Sequence, residues 1–164
     1  MTEHEMSRGE AQARRLEAML EKLEAAFAQP AVSNRARNAP GENEWNALQT
    51  LGHLIEIVPF WLNHCVAVSQ AQGEPRPYGR PLDSPERLEG VEHGTHGDLD
   101  SLLAEFREEV RQGAATIRGF SETDLDKVGN HNRLGHITVT ATIDVLILEH
   151  GEAHVEQIKT ALGA

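Results

Sequence analysis

The sequence predicts an all-α protein, a four-helix bundle with one long crossover connection, as a single domain over residues 1–164. Four stretches carry apolar residues at three- and four-residue steps, the period of a helix, and none alternates as a strand does. A chain of 164 residues suits one domain, since domains average about 150 residues. The connection between the second and third stretches is long enough to cross the end of a bundle.

The first helix is predicted to run from about Arg8 to Ala28. Ser7 and Glu10 form a capping-box pattern, in which the serine hydroxyl accepts from the first turn and the glutamate reaches back. Pro30 ends the helix, and a polar loop follows. One apolar stripe runs along the helix: Leu16, Met19, Leu20, Leu23 and Phe27.

The second helix is predicted from about Glu44 to Ala71, and it is apolar on nearly every face. Such a helix must be buried on more than one side. Pro59 lies in its middle and predicts a kink, because the proline lacks a backbone N–H. A bundle core and one site need fewer apolar faces than this, so the helix also predicts a homodimer. An extended connection over Gly73–Gly97 follows.

The second half of the chain predicts two more long helices. The third runs from about Asp98 to Arg118, and a short helical turn follows at Ser121–Asp124. Lys127–His136 is expected to be a loop. The fourth helix runs from about Val139 to Leu162, and Gly163 ends it. Its core-facing stripe is predicted to contain Ile143, Ile147, His150, His154, Ile158 and Ala161.

Composition excludes several classes of partner. The 26 acidic residues outnumber the 15 basic ones, and a net charge of −11 disfavours nucleic acid and anionic membrane surfaces. No unbroken apolar run exceeds the length of Val145–Leu148, so no membrane span is expected. The first residues are charged and carry no signal sequence, which predicts a cytoplasmic protein. The single cysteine, Cys65, is interpreted as a small buried apolar residue.

Two histidines in the fourth helix could share a metal ion. His150 and His154 are four residues apart, so they lie on one helical face with about 6 Å of axial rise between them. A buried imidazole needs partners for both ring nitrogens, and metal ligation provides one. The alternative is a hydrogen-bonded pair in the core, which satisfies the same need, or a pair at an exposed seam. On this pair alone, the two interpretations are equally supported.

His53 favours the metal site. It lies on a mixed polar and apolar face of a helix that is otherwise apolar, and a polar stripe facing a bundle interior usually lines a site. Three histidines from two helices bind a metal and leave coordination positions open, which is typical of catalytic sites. We therefore predict a divalent ion, Zn, Ni or Fe, bound by His53, His150 and His154.

Two further residues are candidate catalytic groups. Glu56 lies one turn from His53 and is expected to accept a hydrogen bond from it or to act as a general base, with an ordinary surface carboxylate as the alternative. His64 lies on the same face three turns further along and could approach a substrate, although an ordinary hydrogen-bonded histidine is the simpler interpretation. His131 and His136 are expected to be exposed in a loop.

These residues occur in two motifs that resemble a known family. Trp45-Asn46 followed by Gly52-His53-Leu54 is the first, and Gly135–Val139 followed by Glu149–Ile158 is the second. Together they are similar to the DinB-like (YfiT-like) metalloenzyme family. The resemblance implies an up-down-down-up four-helix bundle whose metal ligands correspond to His53, His150 and His154. Relatives often carry an acid at the position of Gly151, where the glycine is expected to open room beside the metal.

The resemblance also implies a choice of reactions. Members of the family include thiol-dependent S-transferases, a mycothiol-dependent isomerase and metal-dependent hydrolases. The two reactions expected here are transfer of a low-molecular-weight thiol to an electrophile and hydrolysis of a small-molecule substrate, and the resemblance favours the first. The alternative is a non-catalytic stress or small-ligand-binding bundle.

Overall fold

Long helices dominate the chain in the computed structural model, which describes residues 5–30 and 32–163. The elements, in chain order, are α1 (Arg8–Phe27), α2 (Val32–Arg35), α3 (Ala47–Gln70), β1 (Arg76–Tyr78), α4 (Pro85–His96), α5 (Leu99–Gly119), α6 (Glu122–Leu125), β2 (Val128–His131), β3 (Gly135–Thr138), α7 (Val139–Thr142), a π-helical segment (Ile143–Glu149) and α8 (His150–Leu162). The long helices of the predicted bundle are therefore confirmed. The prediction that the chain contains helices alone is not, because three short strands are also present.

Capping residues determine where the first two long helices begin. Ser7 Oγ accepts from the backbone N–H of Glu10 at 3.2 Å, while the Glu10 carboxylate pairs with arginines instead of completing the box. Asn46 forms a complete capping box with Gln49, with distances of 2.8 and 2.9 Å. This cap explains why α3 begins at Ala47 rather than at the predicted Glu44.

The hydrophobic core lies between α1, α3, α5 and the α7–α8 helix. α1 and α3 each pack against both α5 and α8. Leu16, Leu54 and Phe106 are among the fully buried side chains of this core. Burying each such side chain contributes about 1.5–3 kcal/mol relative to leaving it exposed, so these contacts provide most of the stability of the bundle.

The predicted extended connection over Gly73–Gly97 is wrong, because it contains α4. Ser84 caps this helix and Pro85 occupies its first turn. α4 packs directly on α3 through glycines: a Cβ atom on Gly52 would lie 2.7 Å from the amide nitrogen of Gly94 and would overlap the carbonyl oxygen of Gly90. Backbone contact this close leaves no space for side chains between the two helices. The sequence of α4 is only weakly amphipathic, so its pattern does not predict a helix packed on α3.

α4 also explains why α3 is apolar all round. α3 contacts α4, α5, α8 and the π-helical segment, so its apolar faces are covered within the chain. Among the described residues, α3 is the one helix that is long and apolar enough to cross a membrane, with a mean hydropathy of 1.3 over its most apolar 18-residue stretch. However, 56% of that stretch is buried in the fold. The observation that predicted a homodimer is thus accounted for inside one chain.

A small three-stranded sheet corrects both the all-α prediction and the predicted loop over Lys127–His136. β1 pairs in parallel with β2, and β2 pairs antiparallel with β3. Tyr78 aligns with His131 in this sheet, and its hydroxyl lies 2.6 Å from the Thr142 hydroxyl of α7. Strands of three or four residues are too short to show an alternating pattern, which is why the sequence does not predict them.

The last helix is continuous but changes its winding. Between α7 and α8, the π-helical segment forms wider turns than an α-helix, and the buried stripe continues from Ile147 to Gly151 and Val155. His150 and His154 therefore lie beside this stripe, where His150 is exposed and His154 half-buried, and their predicted place in the buried stripe is wrong. A Cβ atom on Gly151 would lie 2.9 Å from the Met19 side chain, so this glycine makes room for α1 and not for a metal.

Candidate metal centre

The three predicted ligands converge in the structure. His53 is buried on α3, and its Nε2 lies 3.5 Å from Nε2 of His150 on α8. Nε2 of His150 lies 3.0 Å from Nε2 of His154. One nitrogen atom from each of the three rings falls within 4.8 Å of the others, so the triad could hold a metal ion. Four-residue spacing aligns the two histidines of α8, and α3 packs against them with His53.

The spacing of these nitrogens fits a shared ion. Two histidine ligands at the usual zinc–nitrogen distance of about 2.0–2.1 Å lie roughly 3.3 Å apart in tetrahedral geometry. The separations of 3.5 and 3.0 Å bracket that value. A hydrogen bond can join only two of the three atoms at a time, so a metal satisfies this arrangement more completely than the predicted hydrogen-bonded pair does.

The outer nitrogens of two rings face acceptors. Nδ1 of His154 donates to Oε1 of Gln157 at 2.9 Å, one turn further along α8. Nδ1 of His53 lies 3.4 Å from Oε2 of Glu56, close enough for electrostatic attraction but outside hydrogen-bond geometry, and this buried nitrogen has no other partner. Partners at Nδ1 place the proton there and leave the Nε2 lone pair for a metal, as in other histidine metal sites.

The environment keeps two of the rings neutral. Desolvation, followed by the nearby charge of His53, lowers the pKa of His154 to about 4. The pKa of His150 is lowered in the same way, with further contributions from Arg87 and Arg133. His150 retains exposed surface, but the protein atoms packed around its ring still make desolvation the largest cause. Neutral imidazole is the form that binds metal, so both shifts favour ligation.

Glu56 is held by Arg80 as well as facing His53. Both terminal guanidinium nitrogens of Arg80, Nη1 and Nη2, donate to the Glu56 carboxylate, the second at 3.1 Å, and the guanidinium lies 4.0 Å above the Phe60 ring. Burial alone would raise the pKa of Glu56, but the attraction of nearby His53 and the pairing with Arg80 outweigh burial and leave that pKa below its ordinary value. The carboxylate therefore stays ionised, which suits orientation of His53 better than general base catalysis.

The structure does not bring His64 to the triad. Eleven residues separate it from His53, which is about 16 Å along the helix. Its ring contacts Phe60, Trp61 and Tyr78, at centroid distances of 4.8, 6.0 and 5.7 Å. Burial and nearby arginines lower the pKa of His64. The side chain thus belongs to an aromatic cluster beside the sheet.

The remaining single-residue expectations have mixed outcomes. His131 is buried, not exposed, and its Nδ1 accepts from the backbone N–H groups of Arg133 and Leu134, each at 3.1 Å. It therefore closes the turn between β2 and β3, a role that the loop prediction missed. His136 is exposed as expected. Cys65 is buried, and burial raises the pKa of its thiol to about 12, in agreement with its predicted role as an apolar residue.

Two cavities meet at the triad. The first is lined by His53 and His150, by apolar side chains that include Trp61, and by the arginines Arg80, Arg87 and Arg133. The second is an open groove lined by His154, Gln157, Trp45 and again Arg87. Each cavity is therefore lined by at least one histidine of the triad.

Arg87 and Trp45 stand where the two cavities meet. The Trp45 ring stacks on His154 with a centroid distance of 6.1 Å and lies 5.2 Å from His53. The Arg87 guanidinium lies 4.8 Å from the Trp45 ring. A cation over an aromatic face is stabilised by the charge distribution of the ring, so this stack holds Arg87 in place.

Sequence reasoning missed several residues of the site. Gln157 follows His154 by three residues, a spacing that does indicate contact on a helix. No comparable signal exists for Arg80, Arg87 and Arg133, because they come from the β1–α4 connection, from α4 and from the β2–β3 turn. Only the packing of those segments brings them to one cavity.

Comparisons with known proteins agree with this fold. The profile of the DinB superfamily matches residues 10–158. YfiT from Bacillus subtilis, described as a probable metal-dependent hydrolase with an unusual four-helix bundle topology, has a TM-score of 0.71 and 18% identity over 98% of this chain and 90% of that chain. No curated protein sequence matches the chain.

A second solved structure is larger than this chain. The mycothiol-dependent maleylpyruvate isomerase has a TM-score of 0.69 and 17% identity, over 100% of this chain and 64% of that chain. The chain thus spans somewhat less than two thirds of the isomerase. At these identities, both likenesses concern the fold.

Proposed function

The chain belongs to the DinB superfamily, and from this premise we propose that it binds one divalent metal ion through His53, His150 and His154 and acts on a small molecule. The observation that carries the proposal is the convergence of three Nε2 atoms from two helices. Such an ion supplies a Lewis acid that lowers the pKa of a water or thiol ligand and stabilises developing negative charge.

The residues around the triad have separate roles in this proposal. Glu56 orients His53 and is itself held by Arg80, while Gln157 orients His154. Imidazole ligands would leave the charge of a bound ion uncancelled, and the two cavities beside the triad would give a small molecule access to it. Glu56 is therefore a positioning residue, and the catalytic role of His64 stays a prediction that its aromatic surroundings do not favour.

Transfer of a low-molecular-weight thiol is the reaction that we place first. The two cavities at the triad offer separate places for a thiol and an electrophile. The thiol dependence of the isomerase similar in fold points the same way, whereas the description of YfiT points to hydrolysis. Hydrolysis is the second candidate because it needs only one of the cavities. A bundle that binds metal or a small ligand without turnover is the non-catalytic alternative.

We also infer that the four long helices follow the order up-down-down-up. Three sets of contacts support it: α1 antiparallel to α5, α1 parallel to α7–α8, and α3 antiparallel to α8. For α1 and α5, Gly9 lies near Ile117 and Glu24 near Arg107. For α1 and the α7–α8 helix, Gln12 contacts Thr140 and Arg15 contacts Glu152. For α3 and α8, Trp45, just before α3, contacts His154, and His53 contacts His150.

Elemental analysis and two assays on the same sample test the proposed function. Protein purified without an affinity tag is expected to contain one Zn, Ni or Fe ion per chain. Consumption of glutathione or cysteine with an electrophilic bimane then reports thiol transfer, and cleavage of nitrophenyl esters without thiol reports hydrolysis. Metal content with neither activity favours the non-catalytic bundle. Protein that neither contains nor takes up metal overturns the proposal.

A further inference from the structure

Two arginines beside the triad have no acidic partner among the residues that the structure describes. In this chain of net charge −11, arginines such as Arg8, Arg15 and Arg118 pair with carboxylates. Within residues 5–30 and 32–163, no ion pair joins Arg87 or Arg133 to a carboxylate. Both line the cavity that contains His53 and His150. Unpaired cations concentrated at one cavity of an acidic protein mark a place for an anion.

The fold holds the Arg87 guanidinium in place, and it fixes the backbone turn that carries Arg133. Arg87 donates to the carbonyl oxygen of Leu82 at 3.0 Å and stacks on Trp45. Arg133 lies in the turn that buried His131 closes by accepting two backbone N–H groups. Its guanidinium itself makes no hydrogen bond or ion pair with a described residue. Pre-positioned donors lower the entropic cost of binding, which favours a ligand site over a solvated surface charge.

Arg80 lines the same cavity but is not available to a ligand in the same way. Its guanidinium is neutralised by the Glu56 carboxylate and covers the Phe60 ring. The excess positive charge at the cavity therefore comes from Arg87 and Arg133. The same cavity is also lined by apolar side chains, among them Ile57, Trp61 and Leu146.

We propose that this cavity binds a small organic anion, in which a carboxylate faces Arg87 and Arg133 and a short apolar body contacts the apolar side chains of the lining. The guanidinium fork matches a carboxylate in geometry as well as in charge. The inference rests on the proposed function in one respect: the anion would lie beside the triad and would be the substrate, or one of two substrates. The arginines themselves are present with or without a metal.

Binding of butyrate tests the proposal, with butyramide as its neutral analogue and inorganic phosphate as an anion without an apolar body. Titrations of the metal-free and zinc-loaded protein are followed by ¹H–¹⁵N NMR shifts and by fluorescence of Trp61. Butyrate is expected to bind at least about tenfold more tightly than butyramide, since a charged hydrogen bond is lost in the amide. Phosphate is expected to bind more weakly than butyrate.

Arg133→Gln and Arg87→Gln are each expected to weaken butyrate binding about tenfold, while Arg76→Gln leaves it unchanged. Arg76 is the matched control, because it is exposed, lies outside the cavity and has no ion pair within the described part of the chain. Arg133 lies in an exposed turn, so its variant should melt at the wild-type temperature. Equal affinities for butyrate and butyramide, phosphate binding as tight as butyrate, or full affinity in both arginine variants would overturn the proposal.

The two proposals fail in distinguishable ways. Zinc affinity is measured on the same samples by calorimetry. Butyrate binding to metal-free protein together with an absence of zinc binding overturns the metal site and leaves the anion site intact. Zinc binding together with arginine-independent butyrate affinity overturns the anion site alone.

Discussion

The triad histidines use their ring nitrogens in two directions. Nε2 points toward the other rings, while Nδ1 of His154 donates to Gln157 and Nδ1 of His53 faces Glu56. His53 and His154 thus each combine a candidate ligand atom with an orienting contact, and a single substitution at either removes both. Metal binding should therefore be sensitive to every member of the triad.

His53→Ala, His150→Ala and His154→Ala are each expected to abolish the rise in melting temperature that Zn or Ni produces. A ligand at 100 times its Kd stabilises the wild type by about 2.7 kcal/mol, which is roughly 5–10 °C for a protein of this size. Thermal melts with and without metal provide the measurement. His64→Ala and His136→Ala serve as controls and should keep the full rise.

A different pattern would contradict the metal site. If His150 and His154 form only a hydrogen-bonded pair, metal leaves the melting temperature of the wild type unchanged. Their alanine variants then lower the stability of the metal-free protein, because each leaves a cavity and an unpaired partner.

Glu56→Gln is expected to weaken metal affinity by about 10- to 100-fold. The amide keeps the size of the side chain but loses the charge that attracts Nδ1 of His53 and pairs with Arg80. Calorimetric titration with Zn measures the effect. Glu89→Gln on α4 is the matched control, since it removes one exposed negative charge away from the triad. Unchanged affinity in Glu56→Gln would mean that His53 needs no carboxylate to be oriented.

At the scale of elements, the α3–α4 contact decides the shape of the site. Gly52, Gly90 and Gly94 allow the two helices to touch by their backbones. Because α4 carries Arg87, this contact also sets the distance between that arginine and the triad. A helix that the sequence pattern does not reveal thus closes one side of the candidate metal centre.

Gly94→Ala is expected to lower the free energy of unfolding by about 1–3 kcal/mol or more. The added Cβ would overlap the Leu48 carbonyl oxygen and lie 2.7 Å from Gln49 Cα, and backbone cannot move aside without separating the helices. Urea denaturation measures the change, provided that the slope of the unfolding free energy against urea concentration is the same in both proteins. Gly119→Ala, at the open end of α5, is the control and should be neutral or up to about 1 kcal/mol more stable. A Gly94→Ala protein as stable as wild type would disprove the close packing.

At the scale of the whole molecule, histidines with lowered pKa values link stability to pH. The pKa values of His64, His131, His150 and His154 are all lowered, that of His154 to about 4. Below pH 6.5 the unfolded chain therefore binds more protons than the folded chain does. The free energy of unfolding rises with pH wherever the unfolded state binds more protons, so it must fall as the pH drops through this range.

The metal-free protein is accordingly expected to lose stability progressively between about pH 6.5 and pH 4. His154→Gln removes one of the groups responsible and should show a shallower loss. His136→Gln removes an exposed histidine and should retain the wild-type slope. Chemical denaturation at a series of pH values, with chelator present, measures both. Equal slopes in His154→Gln and wild type would contradict the low pKa of that residue.

The oligomeric state also belongs to this scale. The predicted homodimer depended on the apolar faces of α3, which α4, α5 and the last helix cover within one chain. Light scattering over a range of concentrations tests the dimer directly. Because these faces of α3 are already covered, a dimer would have to form through a different surface.

The sequence by itself determined the long helices and the relation between ligands on one helix. Periodicity, caps and three- or four-residue spacings are local properties, so the pairing of His150 with His154 and of His53 with Glu56 followed from residue numbers alone. The resemblance of two short motifs supplied the association between the second and the last helix.

Only the tertiary structure decided which side chains surround the triad and how exposed its members are. The short strands, the packing of α4 by glycines and the altered winding before α8 each depend on contacts between residues far apart in the chain. Arg87 and Arg133 reach one cavity through two of these features. Short-range sequence patterns do not predict such long-range contacts, because these contacts form and are stabilised by packing only when the whole chain folds.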